Sequence, residues 1–217
     1  MEILDILKEL LTNTKGFLEA FVANHGPWIY GLLFLIVFCE TGLVVLPLLP
    51  GDSLLFTAGL LAGNPANQLE VWLVIVLLVL AALLGDNTNY MIGKFLAKKG
   101  EGAKLFGLFT IKKEYIQKTE TFYEKHGSVA IIIARFVPIV RTFAPFVAGV
   151  GSMKYSKYIT FCVIGAIIWV TSITLAGYFL GNIPWVQHNF EKVVLGIVFL
   201  SVMPIIFQLI KHQFAKK

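Results

Sequence analysis

Two apolar runs of this chain, residues 27–63 and 128–151, are each broken in the middle by proline. The first break holds Pro47, Pro50, Gly51 and Asp52, and the second holds Pro138 and Pro145. Proline has no backbone N–H and its ring collides with the preceding turn. Pro47, Pro50, Gly51, Pro138 and Pro145 therefore read as helix-breaking positions. The chain around them has 57% apolar and only 14% charged residues, with a mean hydropathy of +0.79. A water-facing domain carries about a quarter charged residues, so this charge deficit points to a membrane. Broken backbone at membrane depth is tolerated only where protein or a water-filled cavity covers it. Residues 33–62 and 128–151 are thus expected to form re-entrant helical hairpins, with tips near 47–52 and 138–141.

The remaining segments are simpler. Residues 70–93, 158–180 and 193–210 have the length and apolarity of spanning helices. Residues 3–22 show apolar spacings of three and four with a polar face of Glu2, Asp5, Lys8, Glu9 and Lys15, the pattern of an interface helix. A second such helix is expected over 111–123. The acidic N-terminal residues do not read as a signal peptide. Cys39 and Cys162 lie singly inside apolar runs and suggest neither a disulfide nor a zinc site.

Three short anchors recur in order. Phe21, His25 and Gly26 match Phe122, His126 and Gly127; Phe56 and Gly59 match Phe146 and Gly149; Tyr90 and Gly93 match Tyr178 and Gly181. Each unit then reads as interface helix, re-entrant hairpin and spanning helix. With one full crossing per unit, the second is inverted relative to the first, which is a transporter architecture. The expected fold is an all-α integral membrane protein. A single membrane domain spans 1–217, with repeat one at about 3–95, repeat two at about 111–182 and a C-terminal transmembrane helix at 193–210. Basic residues in 98–126, Lys154, Lys157, Lys211, Lys216 and Lys217 place that side, with the C-terminus, in the cytoplasm. The segments 64–69 and 181–192 and the N-terminal helix would lie outside.

Glu40, Asp52, Asp86, Arg135 and Arg141 fall within or beside the apolar segments. Five charges exposed to lipid would cost about 12–17 kcal/mol, so they must be paired or hydrated. On a straight helix Arg135 and Arg141 would point apart. The break at Pro138 lets both guanidiniums turn to one point, where two forks suit a phosphate or carboxylate. Glu40 and Asp52 flank the first break and are candidates for proton coupling. In the plainer reading these acids and arginines neutralise each other across the hairpins, and such a salt bridge could open for an anion as a gate. Asn87 and Asn89 either complete a pocket with Asp86 or cap helix turns. His25 and His126 read as interface residues, and Trp28, Trp72 and Trp185 as an aromatic belt. No Walker loop, GxSxG, HExxH or metal-ligand spacing is present, so no enzyme activity, cofactor, metal or nucleic-acid partner is expected.

The stretches Phe38-Cys39-Glu40-Thr41-Gly42, Leu49-Pro50-Gly51-Asp52-Ser53-Leu54, Gly85-Asp86 and the run from Ala134 through Arg135, Pro138 and Arg141 to Thr142 resemble the DedA (VTT) family of bacterial inner-membrane proteins over nearly the whole chain. The resemblance implies a lipid-handling transporter driven by the proton motive force. Its lipid would be undecaprenyl phosphate or a related phospholipid, and its role cell-envelope homeostasis. The family's essential acids correspond to Glu40 and Asp52, and its essential arginines to Arg135 and Arg141. An energy-independent phospholipid scramblase and a structural or assembly protein are the alternatives.

Overall fold

The computed structural model describes residues 13–42, 51–99, 104–105, 109–110, 129–136, 138–151, 153–181 and 183–189, with isolated positions at 9, 192, 193 and 196. Most of residues 3–12 of the expected helix 3–22, all of the expected helix 111–123, most of the expected helix 193–210, and the residues Pro47, Pro50 and His126 lie outside these.

Asn13 opens helix α1 (Thr14–His25) by accepting a hydrogen bond from the Gly16 N–H at 3.0 Å. Gly26 closes it with φ of 51°, a conformation that costs glycine little, and the chain turns into α2 (Trp28–Gly42). Helix α3 (Gly51–Ala62) follows, then a 3₁₀ turn at Pro65–Asn67, then the long α4 (Val71–Lys99). A two-residue antiparallel pair joins β1 (Lys104–Leu105) to β2 (Phe109–Thr110). Helices α5 (Val129–Ala134), α6 (Pro138–Val150), α7 (Tyr155–Leu180) and the short α8 (Pro184–His188) complete the described chain.

Length separates these helices into two kinds. At 1.5 Å per residue, the 29 residues of α4 and the 26 of α7 reach about 43 and 39 Å. Both are long and apolar enough to cross a membrane. The 15 residues of α2, 12 of α3 and 13 of α6 reach only about 18–22 Å, short of a bilayer core of about 30 Å. Neither broken run forms one continuous helix. The interruptions are bounded by Gly51, the first residue of α3, and Pro138, the first of α6, where a missing N–H costs nothing. Pro145 departs from expectation: it lies inside α6 without ending it. Close packing of α6 along α4 keeps the helix continuous through the proline.

The packing is reciprocal. Helix α3 lies chiefly on α7, and α6 chiefly on α4. Glycines set both crossings. A Cβ on Gly59 would overlap the Thr174 carbonyl, and one on Gly149 that of Tyr90; from the other side, Gly177 meets the Phe56 carbonyl and Gly93 that of Phe146. The contacts pair Gly93 with Gly177, one turn before the expected partner Gly181. Gly181 lies instead against Leu60.

Contacts also fix the ends. The start of α2 lies beside the start of α4, where the Glu70 N–H donates to the Tyr30 hydroxyl at 2.9 Å. A cleft of ≈ 400 Å³ there is lined by Pro27, Tyr30, Asn67 and Gln68. The end of α3 reaches the same place. At the opposite end the Tyr90 hydroxyl donates to the Met153 carbonyl at 2.6 Å, and the Tyr90 and Tyr158 rings stack at 4.3 Å. Trp28, Trp72 and Trp185 are exposed at the starts of their helices. The main core joins α1, α2, α3, α4 and α7 through Leu18, Leu33, Leu54, Phe56, Leu78 and Trp169.

Candidate functional site

Side chains from either side of the first interruption meet Arg141 of α6. Glu40 lies in the last turn of α2 and Asp52 in the first turn of α3, so the break brings two carboxylates side by side. Gly51 permits it: a Cβ there would overlap both Glu40 carboxylate oxygens. From α6, Arg141 Nη1 donates to Asp52 Oδ1 at 2.6 Å and Nη2 pairs with Glu40 Oε1. From the middle of α7, Trp169 Nε1 donates to the same Asp52 Oδ1 at 3.0 Å, and its ring faces the Arg141 guanidinium, 4.8 Å from its centroid. All four side chains are buried.

A second cluster lies along α4. Arg135 follows the end of α5 and pairs through Nη2 with Asp86 Oδ2. The same nitrogen reaches the Cys162 carbonyl and Sγ, each at 3.2 Å. The Tyr158 hydroxyl donates to the Asp86 backbone carbonyl at 2.9 Å. Gly165 gives Arg135 its room, since a Cβ would come within 2.9 Å of Arg135 Cδ.

Asn89 ties the two regions together. Its Nδ2 donates to the Thr41 carbonyl, beside Glu40, and at 3.3 Å to the Thr142 carbonyl, beside Arg141. Thr41 is near the end of α2, so the asparagine ties that end to α6 from α4.

The arginines thus do not converge on one point. Pro138 opens the chain between them, but each guanidinium goes to different carboxylates. Glu40, Asp52 and Arg141 meet as one ion cluster, and Asp86 belongs with Arg135 rather than with Asn87 and Asn89. Asn87 stays outside both clusters; its buried Oδ1 has no partner among the described residues. Sequence reasoning missed Trp169, Tyr158 and Cys162. The signal was available for Trp169, which sits mid-way along an apolar run instead of at its end and must find a partner for its N–H. His25 is exposed and stacks on Phe21 at 4.5 Å. Both arginines keep a buried Nε without a partner among the described residues, so each fork retains a donor.

Two apolar helices of membrane length, with paired buried charges between them, have the arrangement of a helical membrane protein. The VTT domain matches residues 49–179. Protein DedA of Escherichia coli K12 is 47% identical over 98% of this chain and 96% of its own length. The uncharacterized membrane protein Rv0364 of Mycobacterium tuberculosis is 45% identical over 79% of the chain and 74% of its own length. Inner membrane protein YghB of Escherichia coli K12 is 32% identical over 82% and 78%. No solved structure matches. The chain belongs to the DedA family of VTT-domain membrane proteins.

Proposed function

We propose that this protein is a proton-coupled lipid translocase of the bacterial inner membrane, moving undecaprenyl phosphate or a related phospholipid to support cell-envelope homeostasis. One observation carries the reading: Arg141 is shared by Glu40 and Asp52, three buried charges brought from the two broken segments to one place. Removing one member of such a set leaves an uncompensated buried charge, at a cost of about 3–5 kcal/mol. The cluster therefore opens only when something replaces the lost partner. A phosphate headgroup can replace the acids on Arg141, and a proton can replace Arg141 on an acid. Arg135 is the second phosphate donor once Asp86 releases it.

The architecture that accompanies this reading is an inverted repeat, with the re-entrant hairpins at 33–62 and 128–151 meeting tip to tip. The short arms of α2, α3 and α6 and the reciprocal glycine crossings support it. Lys98, Lys154 and Lys157 at one end support a cytoplasmic C-terminus. The deciding experiment is reconstitution into vesicles with labelled undecaprenyl phosphate or phosphatidylethanolamine, with and without a pH gradient. Headgroup-selective movement that follows the gradient is expected. Movement indifferent to it would make the protein a scramblase, and none with either lipid would overturn the reading.

A further inference from the structure

Glu40 and Asp52 share Arg141, yet their surroundings differ in kind. Asp52 is in the first turn of α3, where the helix dipole favours an anion. Glu40 is near the end of α2, with its carboxylate also against Gly51 at the start of α3, so the two acids share that helix start. Asp52 has a second side-chain donor, the Trp169 indole N–H at 3.0 Å, on the oxygen that Arg141 also reaches. Glu40 has no side-chain donor other than Arg141 among the described residues. The other charges nearby do not alter this contrast. Asp86 of α4 is taken by Arg135, Lys15 and Glu19 of α1 pair with each other, and α7 brings only the neutral Trp169 to the acids.

We propose that the three groups around Arg141 divide the work: Glu40 alone takes up the coupling proton, Asp52 stays ionised throughout, and Trp169 is the positioning residue that holds it so. The inference rests on the proton-coupled reading above. When Arg141 leaves the acids for a singly charged phosphate, Asp52 keeps the indole N–H and needs no proton. Glu40 keeps no side-chain donor among the described residues, and one proton adds to its carboxylate. The cluster carries two carboxylates and one guanidinium before the step. Afterwards it holds one carboxylate, one guanidinium and one phosphate. Its net charge is unchanged, so one proton and one headgroup charge enter together and no uncompensated charge is carried into the membrane.

The test measures initial rates against pH for a labelled polyprenyl phosphate in vesicles of phosphatidylethanolamine and phosphatidylglycerol, with melting temperature confirming each variant is folded. On the alkaline side, log rate for the unaltered protein is expected to fall with a slope near one proton. Trp169→Phe keeps a ring but has no N–H, so Asp52 also needs a proton. Its slope should approach two, and its rate at neutral pH should fall tenfold or more. Trp169→Gln restores a donor without the ring and should return the slope toward one. Independently of Trp169, Glu40→Gln should abolish the pH dependence while Asp52→Asn retains it. An unaltered slope in Trp169→Phe, failure of the Gln variant to restore it, or the reverse pattern in the two acid variants would overturn the division of roles alone. A flat profile in the unaltered protein would remove the coupled reading along with it.

Discussion

Gly59 lies against the backbone carbonyl of Thr174 with no room for a methyl group between them. Gly149 has the same relationship to Tyr90 on the other long helix. These crossings decide how closely α3 approaches α7 and α6 approaches α4, and so where Asp52 and Arg141 meet. Alanine at either position must push two backbones apart. Gly59→Ala and Gly149→Ala should each destabilise the detergent-solubilised protein by about 1–3 kcal/mol, read as a lower melting temperature. Gly31→Ala, with nothing within 4 Å of its Cβ, should leave melting unchanged or raise it slightly. Equal melting of all three variants would show that the crossings do not limit stability.

Lysine in place of either arginine keeps the charge and loses the planar fork. If the arginines only balance carboxylates, Arg135→Lys and Arg141→Lys should transport normally. A phosphate gripped by two N–H groups predicts a different outcome, since losing one charge-assisted bond costs roughly 1.5–3 kcal/mol, or about ten- to a hundredfold in affinity. Transport measured beside melting temperature separates the cases, and normal transport in the double lysine variant rules out the fork.

Asp86→Asn leaves Arg135 buried among neutral groups. The expected loss is about 3–5 kcal/mol, and the double variant Asp86→Asn with Arg135→Gln should recover much of it. A double-mutant cycle by thermal melting checks this. Additive losses would mean that the Asp86–Arg135 contact contributes nothing of its own.

Asn89→Ala removes a donor shared by two buried carbonyls on either side of the Glu40–Arg141 pair. A loss of about 1–3 kcal/mol is expected. Because the asparagine sets the spacing of two backbone segments, transport should fall further than stability alone explains. Comparing rates at a temperature well below melting isolates that second effect, and a full rate there would confine Asn89 to a structural role.

Much of this arrangement is legible in the sequence, for reasons that can be named. Gly51 and Pro138 start helices because proline and glycine act locally, and local effects survive into the fold. Glu40, Asp52 and Arg141 had to be paired or hydrated, since exposure to lipid is costly, and the structure pairs them. Partner choice was less visible. Adjacency leaves Asn87 and Asn89 either in a pocket with Asp86 or as helix caps, whereas on one helix these side chains point in different directions and only tertiary packing assigns Asp86 to Arg135. Gly177 rather than Gly181 makes the helix crossing with Phe56, and residues four apart share a helix face, so sequence alone separates the two poorly. Pro145 misled in the opposite direction, its local penalty being overridden by packing on α4.

The reciprocal packing has a consequence for synthesis. Glu40 and Asp52 leave the ribosome long before Arg141, which lies 101 and 89 positions later. At roughly 5–20 residues per second, the first acids wait on the order of 4–20 s for their counter-ion. Throughout that interval α3 also lacks α7, the surface it is shaped to lie on. The first half of the chain thus cannot settle into lipid as a finished unit. It must be held in a hydrated, sheltered place, such as the insertion machinery provides, until the second half arrives to close it.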